Sequence, residues 1–219
     1  MNAVIFGTGD VAQIAAYYFE RDSIAQVVAF TVDRAYMPNP PEFEGRPIVA
    51  FEDLVTTHPP ADNALFIALS YAKMNRVREA KFLAATSLGY DLLTYVSPRC
   101  TYLSQFPPGR NCFIFEDNTV QPFVRIGDNV TLWSGNHIGH HSSIEDHVFV
   151  SSHVVISGHC TVGSHSFLGV NSTVAHGVRV ADGTLLGAGA VLAKDSIPNG
   201  VYVPARTVRL DKTSDQIEM

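Results

Sequence analysis

The sequence of 219 residues contains no uninterrupted apolar stretch of the roughly 18–20 residues that cross a bilayer. Charged residues make up only 16%, which is too little for long disordered tracts. Basic residues are scarcer than acidic ones, 15 against 21, and leave a net charge of −6. This balance argues against a general nucleic-acid or membrane-surface binder.

Cysteine is also rare. Cys100, Cys112 and Cys160 are odd in number and have no metal-binding spacing, so neither a disulfide framework nor a cysteine metal site is predicted. A reducing cytoplasm is the simplest compartment for such a chain. The start, MNAVIFGTG, predicts a strand and lacks the basic segment of a signal peptide, so we expect a cytoplasmic protein.

The second half of the chain has a regular period of six residues. Counting from Ile114, every sixth residue is aliphatic over fourteen positions, although chance would give roughly one in three or four. A fixed period of this kind predicts a repeat architecture. The positions are Ile114, Val120, Ile126, Leu132, Ile138, Ile144, Val150, Ile156, Val162, Leu168, Val174, Val180, Leu186 and Leu192.

Two further columns follow the same period. Four residues after each aliphatic position, from Asn118 to Ser196, twelve of fourteen residues are small or valine, which predicts a second inward position. Three residues after each aliphatic position, from Asp117 to Asp195, the residue is Gly, Asn, Asp or His, with Phe123 as the exception. These four residue types tolerate positive φ best, so this turn column predicts left-handed corners. Three hexapeptides then form one triangular coil of 18 residues, and stacked coils bury the core.

The first half of the chain predicts alternating strands and helices. Strands are expected at 3–7, 27–32, 63–70 and 91–96, helices at 10–20 and 73–88, and loops at 38–41 and 57–62. This order predicts a small parallel, Rossmann-like α/β domain that ends near Ser97-Pro98. The predicted fold class is therefore α/β plus β-solenoid, with domains at 1–97 and 98–219.

The first predicted turn contains Gly7-x-Gly9-x-x-Ala12, and Asp33 ends the second strand. This pattern is similar to a dinucleotide-binding fingerprint, but one fingerprint in so short a half-domain is weak evidence for nicotinamide binding. A helix N-terminus that accepts a phosphate, and a tight turn without a ligand, both remain open.

Together the two halves resemble the hexapeptide-repeat sugar acyltransferases of the sialic-acid O-acetyltransferase and bacillosamine-pathway N-acetyltransferase type, over almost the whole chain. The resemblance implies a left-handed β-helix, whereas general crossover rules favour the other hand. It also implies a homotrimer with active sites between prisms. From the charge balance and the lack of a long apolar run, no nucleic-acid or membrane partner is expected. The implied reaction is direct transfer, within a ternary complex, from acetyl-CoA to an amino or hydroxyl group of a nucleotide-linked sugar.

The same resemblance implies two sets of binding residues. The nucleotide-linked sugar is expected at Gly7, Thr8, Gly9, Asp10, Asp33, Arg34, Ser70 and Tyr71, with Ser70 standing where many relatives have glycine. CoA is expected at Phe149, Gly158, Val170, Gly187 and Ala188. The family's C-terminal Gly-Val-Pro-Ala segment is present only in part, as Val203-Pro204-Ala205-Arg206.

Acyl transfer needs a base for the incoming nucleophile, and histidine suits neutral pH. Of nine histidines, His58 lies in a predicted loop and five occupy the turn column, namely His141, His147, His153, His159 and His165. His137, His140 and His176 remain as candidates. Asn136–His141 resembles the family segment that carries the base, and the 18-residue coil stacks His140 with Gly158 and His176. A glycine beside His140 leaves room for the acyl group, so His140 is the predicted general base.

Relatives commonly have an acidic residue after the base, but this chain has His141. Glu145, Asp146 or a backbone carbonyl remain open as the group that orients His140. A competing function is a metal-dependent hydratase on the same prism, but no two histidines are five residues apart, so no metal is expected. Two more functions remain open, namely an O-acetyltransferase acting on a free or glycan-linked sugar and a non-catalytic scaffold or sugar-nucleotide sensor.

Overall fold

The computed structural model describes residues 1–209, 211 and 213–217. The last two residues of the second predicted domain, 218–219, lie outside this range, together with 210 and 212. An α/β unit leads into a three-sided parallel coil, which we call the prism. None of the helices in the described part of the chain is suited to spanning a membrane.

The α/β unit is one sheet with a helix packed on each face. The sheet has the order β3-β4-β2-β1-β5 and is parallel except for β3. Phe19 of α1 packs on one face, and Phe82 of α3 packs on the other. The elements are β1 (Asn2–Phe6), α1 (Asp10–Arg21), β2 (Gln26–Val32), β3 (Glu42–Phe43), β4 (Arg46–Ala50), α2 (Leu54–Thr57), β5 (Asn63–Ile67) and α3 (Arg76–Ser87), with 3-10 turns at Arg34–Tyr36 and Phe51–Asp53.

Several predicted elements of this unit need correction. The sequence did not reveal the β3–β4 hairpin, because its strands are short and β4 contains a proline. The helix expected from residue 73 begins at Arg76, because the preceding residues 73–75 have positive φ. The strand expected at 91–96 is shorter. Its first part pairs with the α/β sheet only through a parallel bridge of Leu92 to Leu65 of β5, and its end is β6 (Tyr95–Val96), which pairs with the prism at Phe113–Ile114.

The prism has three faces, each built of short parallel strands. Paired residues on neighbouring strands of a face are 18 positions apart in the sequence, as Thr131 and Phe149 are. The faces are four-stranded (β10-β13-β16-β19), seven-stranded (β22-β20-β17-β14-β11-β8-β6) and six-stranded (β21-β18-β15-β12-β9-β7). A 3-10 turn at Ser214–Gln216 follows in the tail. The strands after β6 are β7 (Thr101–Tyr102), β8 (Phe113–Ile114), β9 (Thr119–Val120), β10 (Arg125–Ile126), β11 (Thr131–Leu132), β12 (His137–Ile138), β13 (Ser143–Ile144), β14 (Phe149–Val150), β15 (Val155–Ile156), β16 (Thr161–Val162), β17 (Phe167–Leu168), β18 (Thr173–Val174), β19 (Arg179–Val180), β20 (Leu185–Leu186), β21 (Val191–Leu192) and β22 (Val201–Tyr202).

The columns predicted from the period occupy the expected places. All fourteen aliphatic residues are buried, none more than 5% exposed. From Asp117 to Gly189, every residue of the turn column has φ between 58° and 79°. Phe123, expected to break the pattern, follows it with φ 67°, although this conformation costs a side-chain-bearing residue about 1–2 kcal/mol. Asp195, the last of the column, does not adopt it.

The chain passes the four-, seven- and six-stranded faces in turn, so three edges separate them. The His140 edge joins the six- and four-stranded faces. The α3 edge joins the four- and seven-stranded faces, and the Val170 edge joins the seven- and six-stranded faces. The α/β unit sits on the seven-stranded face, where the buried Arg78 donates to Thr131 Oγ1 and to the Val148 carbonyl.

Candidate active site

His140 is exposed at the His140 edge, just after β12. Its backbone N–H donates to Gln121 Oε1 at 2.8 Å, which fixes the start of the turn. Its ring lies against Gly158 of the next coil. A methyl group on Gly158 would come within 2.9 Å of His140 Cε1 and 3.0 Å of Nε2, so the present ring position requires a glycine there. The structure therefore brings together these two residues of the predicted column.

The ring partner of His140 is His141. Their Nδ1 atoms lie 3.1 Å apart, so one donates and the other accepts. His141 is in turn stacked between Phe123, at 4.5 Å between ring centroids, and His159, at 4.9 Å. Asp146, one of the acidic candidates, accepts instead from the backbone N–H of Asp128 at 2.7 Å. With Nδ1 directed at His141, Nε2 of His140 is the nitrogen next to Gly158.

The turn-column histidines lie at corners, as expected, but their side chains have different surroundings. His159 lies beside the His140–His141 pair, and its ring centroid is 5.3 Å from that of His176. Burial lowers the pKa of His159, and the neighbouring histidines lower it further. We call His140, His141 and His159 the histidine triangle. At the α3 edge, His147 and His165 face Glu79, with Nε2 to carboxylate distances of 3.7 and 3.0 Å. These three residues are the α3-edge cluster.

The residues expected to bind CoA lie on two edges. Gly158 is at the His140 edge, whereas Val170 and Ala188 follow one another along the Val170 edge, where the Gly189 N–H donates to the Val170 carbonyl at 2.8 Å. Phe149 is buried in β14 and, with Val170, lines a cavity of about 200 Å³. Gly187 is packed against the tail, since a methyl group there would lie 3.1 Å from Val203 Cγ1. One chain alone does not bring Gly158 to the other residues.

Part of the expected sugar-nucleotide set meets at the carboxyl ends of β1 and β2. Gly7, Thr8 and Asp33 line a cavity of about 290 Å³. Gly7 has φ 119°, and a methyl group there would lie 2.9 Å from the Ala68 carbonyl oxygen, so only glycine fits. Gly9 is the N-cap residue of α1, and Asp10 is the first residue of that helix.

The other expected sugar-nucleotide residues point elsewhere. Arg34 pairs with Asp53 at 2.6 Å and does not line the cavity at Gly7. Ser70 is exposed. Tyr71 packs on Phe149, at 5.0 Å between ring centroids, and lines the smaller cavity on the prism. Three residues of the predicted set therefore line the cavity at Gly7, Tyr71 lines the other cavity, and the remaining four line neither of these two.

Sequence reasoning missed Lys81. This residue of α3 forms an ion pair with Asp33 and lines the same cavity as Gly7 and Thr8. Its Nζ also lies 5.2 Å from the centroid of the Phe6 ring. Only the docking of α3 against the strand ends reveals this position, because Lys81 is far from the Gly7 turn in sequence. The cavity thus combines the Gly7-Thr8 turn that leads into α1 with the Lys81–Asp33 ion pair.

Two adjoining segments, residues 123–158 and 159–194, match the family model described as bacterial transferase hexapeptide (six repeats). Residues 123–194 of the prism therefore consist of hexapeptide repeats. A comparison with curated protein sequences found no match.

Solved structures share the arrangement of both halves of the chain. The acetyltransferase domain of PglB from Neisseria gonorrhoeae is 20% identical, with a TM-score of 0.77 over 93% of this chain and 99% of that one. PerB from Caulobacter crescentus, in complex with CoA and GDP-perosamine, is 22% identical, with a TM-score of 0.76 over 89% and 90%. WeeI from Acinetobacter baumannii is 16% identical, with a TM-score of 0.59 over 87% and 96%. The predicted fold, an α/β domain followed by a left-handed parallel β-helix of hexapeptide repeats, is confirmed.

Proposed function

We propose that the protein is an acetyl-CoA-dependent acyltransferase that acetylates a nucleotide-linked sugar, with His140 as general base. The observation that carries this proposal is the exposed His140 ring, which is paired through Nδ1 with His141 and lies against Gly158. A base needs an oriented ring with one nitrogen facing the reactants. Nε2 meets this requirement, because Nδ1 is held by His141 and the His140 side chain is exposed.

The substrate class is supported by the α/β unit and by the structural neighbours. The cavity at Gly7 lies at the turn that leads into α1 and contains the ammonium of Lys81, which is paired with Asp33; we infer that a phosphate of the nucleotide binds at this turn and lysine. Of the neighbours, PerB was solved with CoA and GDP-perosamine, and the PglB domain was solved with acetyl coenzyme A. We favour an amino group over a hydroxyl as acceptor, because a perosamine N-acetyltransferase is among these neighbours.

The chemistry follows from the two nitrogens of His140. Nε2 takes a proton from the sugar amine while the nitrogen lone pair of that amine attacks the thioester carbonyl. The carbon–sulfur bond then breaks, and the imidazolium returns its proton to the departing CoA thiolate. His141 accepts from Nδ1–H throughout, which holds the tautomer in place of the acidic residue that relatives commonly have. Direct transfer requires both substrates to be bound together.

We propose a homotrimer because the candidate residues are divided between two edges. Gly158 and His140 lie on one edge, and Val170, Ala188 and Tyr71 lie at or beside another. A three-fold arrangement of prisms sets the His140 edge of one chain beside the Val170 edge of its neighbour. The groove between them would hold the CoA arm.

The test is release of CoA thiol from acetyl-CoA with a panel of nucleotide-linked amino sugars. His140→Ala should lower turnover by roughly 10²–10⁴-fold, whereas His58→Asn, outside the site, should not. Near-normal turnover of a folded, assembled His140→Ala protein would refute the assignment. Hydroxyl-bearing and free sugars in the panel distinguish O-acetylation from N-acetylation of a nucleotide-linked sugar. If no acceptor in the panel supports thiol release, the sugar-transferase proposal is refuted.

A further inference from the structure

The rings of the histidine triangle lie almost equally far from one another. The centroid separations are 5.3 Å for His140–His141, 5.1 Å for His140–His159 and 4.9 Å for His141–His159. One ring nitrogen from each of the three lies within 4.8 Å of the others. We propose that this triangle binds one divalent transition-metal ion.

The distances match those of a metal centre with three imidazole ligands. Two nitrogens about 2.0–2.1 Å from a tetrahedral zinc ion lie about 3.3 Å apart, and the centroids of such rings lie about 5 Å apart. The Nδ1 atoms of His140 and His141 are separated by 3.1 Å, close to that value. His141 and His159 are stacked with only 9° between their ring planes, so one of these exposed rings must turn about its χ2 bond before the nitrogens of all three rings face one ion.

The chemistry of the ligands selects the class of metal. Imidazole nitrogens suit zinc, copper and nickel, whereas magnesium and calcium prefer oxygen. All three side chains are exposed, so an ion can enter from solvent. Three protein ligands leave a fourth position for water, as in open zinc sites.

The α3-edge cluster also offers two histidines and a carboxylate, but its hydrogen bonds oppose a metal. The backbone N–H of Ile67 donates to Asn111 Oδ1 at 2.8 Å, so Asn111 Nδ2 donates to Asn129 Oδ1 at 2.8 Å. Asn129 Nδ2 must then donate to His147 Nδ1, at 2.9 Å. Neutral His147 consequently carries its proton on Nε2, the atom that faces Glu79 and would have to bind the ion. In the histidine triangle, Nδ1 of His140 is hydrogen-bonded to Nδ1 of His141, and among the described residues no donor from outside the triangle fixes which of the two rings carries the proton.

Metal binding and the proposed function exclude one another at His140. A nitrogen of His140 that binds an ion cannot take a proton from the acceptor, and Nδ1 would lose its hydrogen bond to His141 if it bound the ion. This consequence rests on the proposed function, but the metal site itself does not. Zinc is therefore expected to inhibit acetyl transfer.

Isothermal titration of the tag-free protein with zinc chloride tests the site directly. We expect one ion per chain, with affinity roughly tenfold or more weaker in His159→Asn. Asparagine is the matched replacement, because Asn171 occupies the same turn column with a similar φ. His165→Asn, in the α3-edge cluster, is the control and should bind like the wild type. No saturable binding, or equal weakening in both variants, would overturn the proposal.

Two readouts separate this inference from the proposed function. Cobalt should give the visible absorption of a tetrahedral centre in the wild type and lose it in His159→Asn, whether or not the protein is an enzyme. Zinc should also suppress thiol release, and a chelator should restore it. If zinc binds in the triangle without suppressing transfer, His140 is not the base, although the metal site stands.

Discussion

Gly158→Ala tests whether the close packing of His140 on Gly158 matters for turnover. The added methyl group would lie 2.9, 3.0 and 3.3 Å from Cε1, Nε2 and Nδ1 of the His140 ring. Ordinary carbon–carbon contacts are about 3.5–4.0 Å, so the ring must move away by about 0.5–1 Å. The φ angle of Gly158 lies outside the left-handed region, so the backbone itself accepts alanine.

A displacement of this size has a predictable effect on the reaction. Misplacing a reacting group by about 1 Å can lower a rate by about 10²-fold, and loss of the base sets the upper limit at about 10⁴-fold. We therefore expect turnover to fall by about 10–100-fold in Gly158→Ala. The fold should be retained, because alanine in an allowed conformation changes stability by only about 1 kcal/mol.

Thiol-release kinetics on the two single variants and their double variant measure the coupling. If Gly158→Ala acts through the base, it should have almost no further effect in the His140→Ala background. Thermal unfolding and a sedimentation measurement on each variant check that fold and assembly are kept. Multiplicative effects of the two substitutions, or normal turnover in Gly158→Ala, would show that the packing of His140 on Gly158 is irrelevant to the chemistry.

Substitutions at two other positions probe the contact between the α/β unit and the prism. Arg78→Ala empties a buried position and should destabilise the protein by about 2–4 kcal/mol, whereas Arg78→Met fills the space without a buried charge and should destabilise it less. Urea unfolding measures both variants, and equal losses of stability would contradict this reasoning. Burial lowers the pKa of His147 from its ordinary value of 6.5, so the unfolded chain binds more protons than the folded protein. The contribution of His147 to stability is therefore complete above about pH 6.5 and declines as the pH falls. His147→Asn should reduce the fall in unfolding midpoint between about pH 7.5 and 5.5, and an unchanged fall would refute the role of this histidine.

The period of six determined the prism. Each hexapeptide repeats a buried aliphatic residue, a small inward residue and a left-handed corner, and each of these is a local preference that can be predicted one residue at a time. Phe123 shows the limit of this reasoning, because stacking of neighbouring coils imposes the corner conformation even on a residue that disfavours it. The 18-residue coil also predicted correctly that His140 stacks on Gly158.

Tertiary structure decided what the side chains at the corners meet. His147 and His159 occupy equivalent corners, but one lies under α3 beside Glu79 and the other in the histidine triangle, because the α/β unit covers only one of the two edges. The pairing of Lys81 with Asp33 likewise depends on where α3 docks. Periodicity specifies position along the coil and direction inward or outward, but contacts between distant segments follow from the packing of one unit on another.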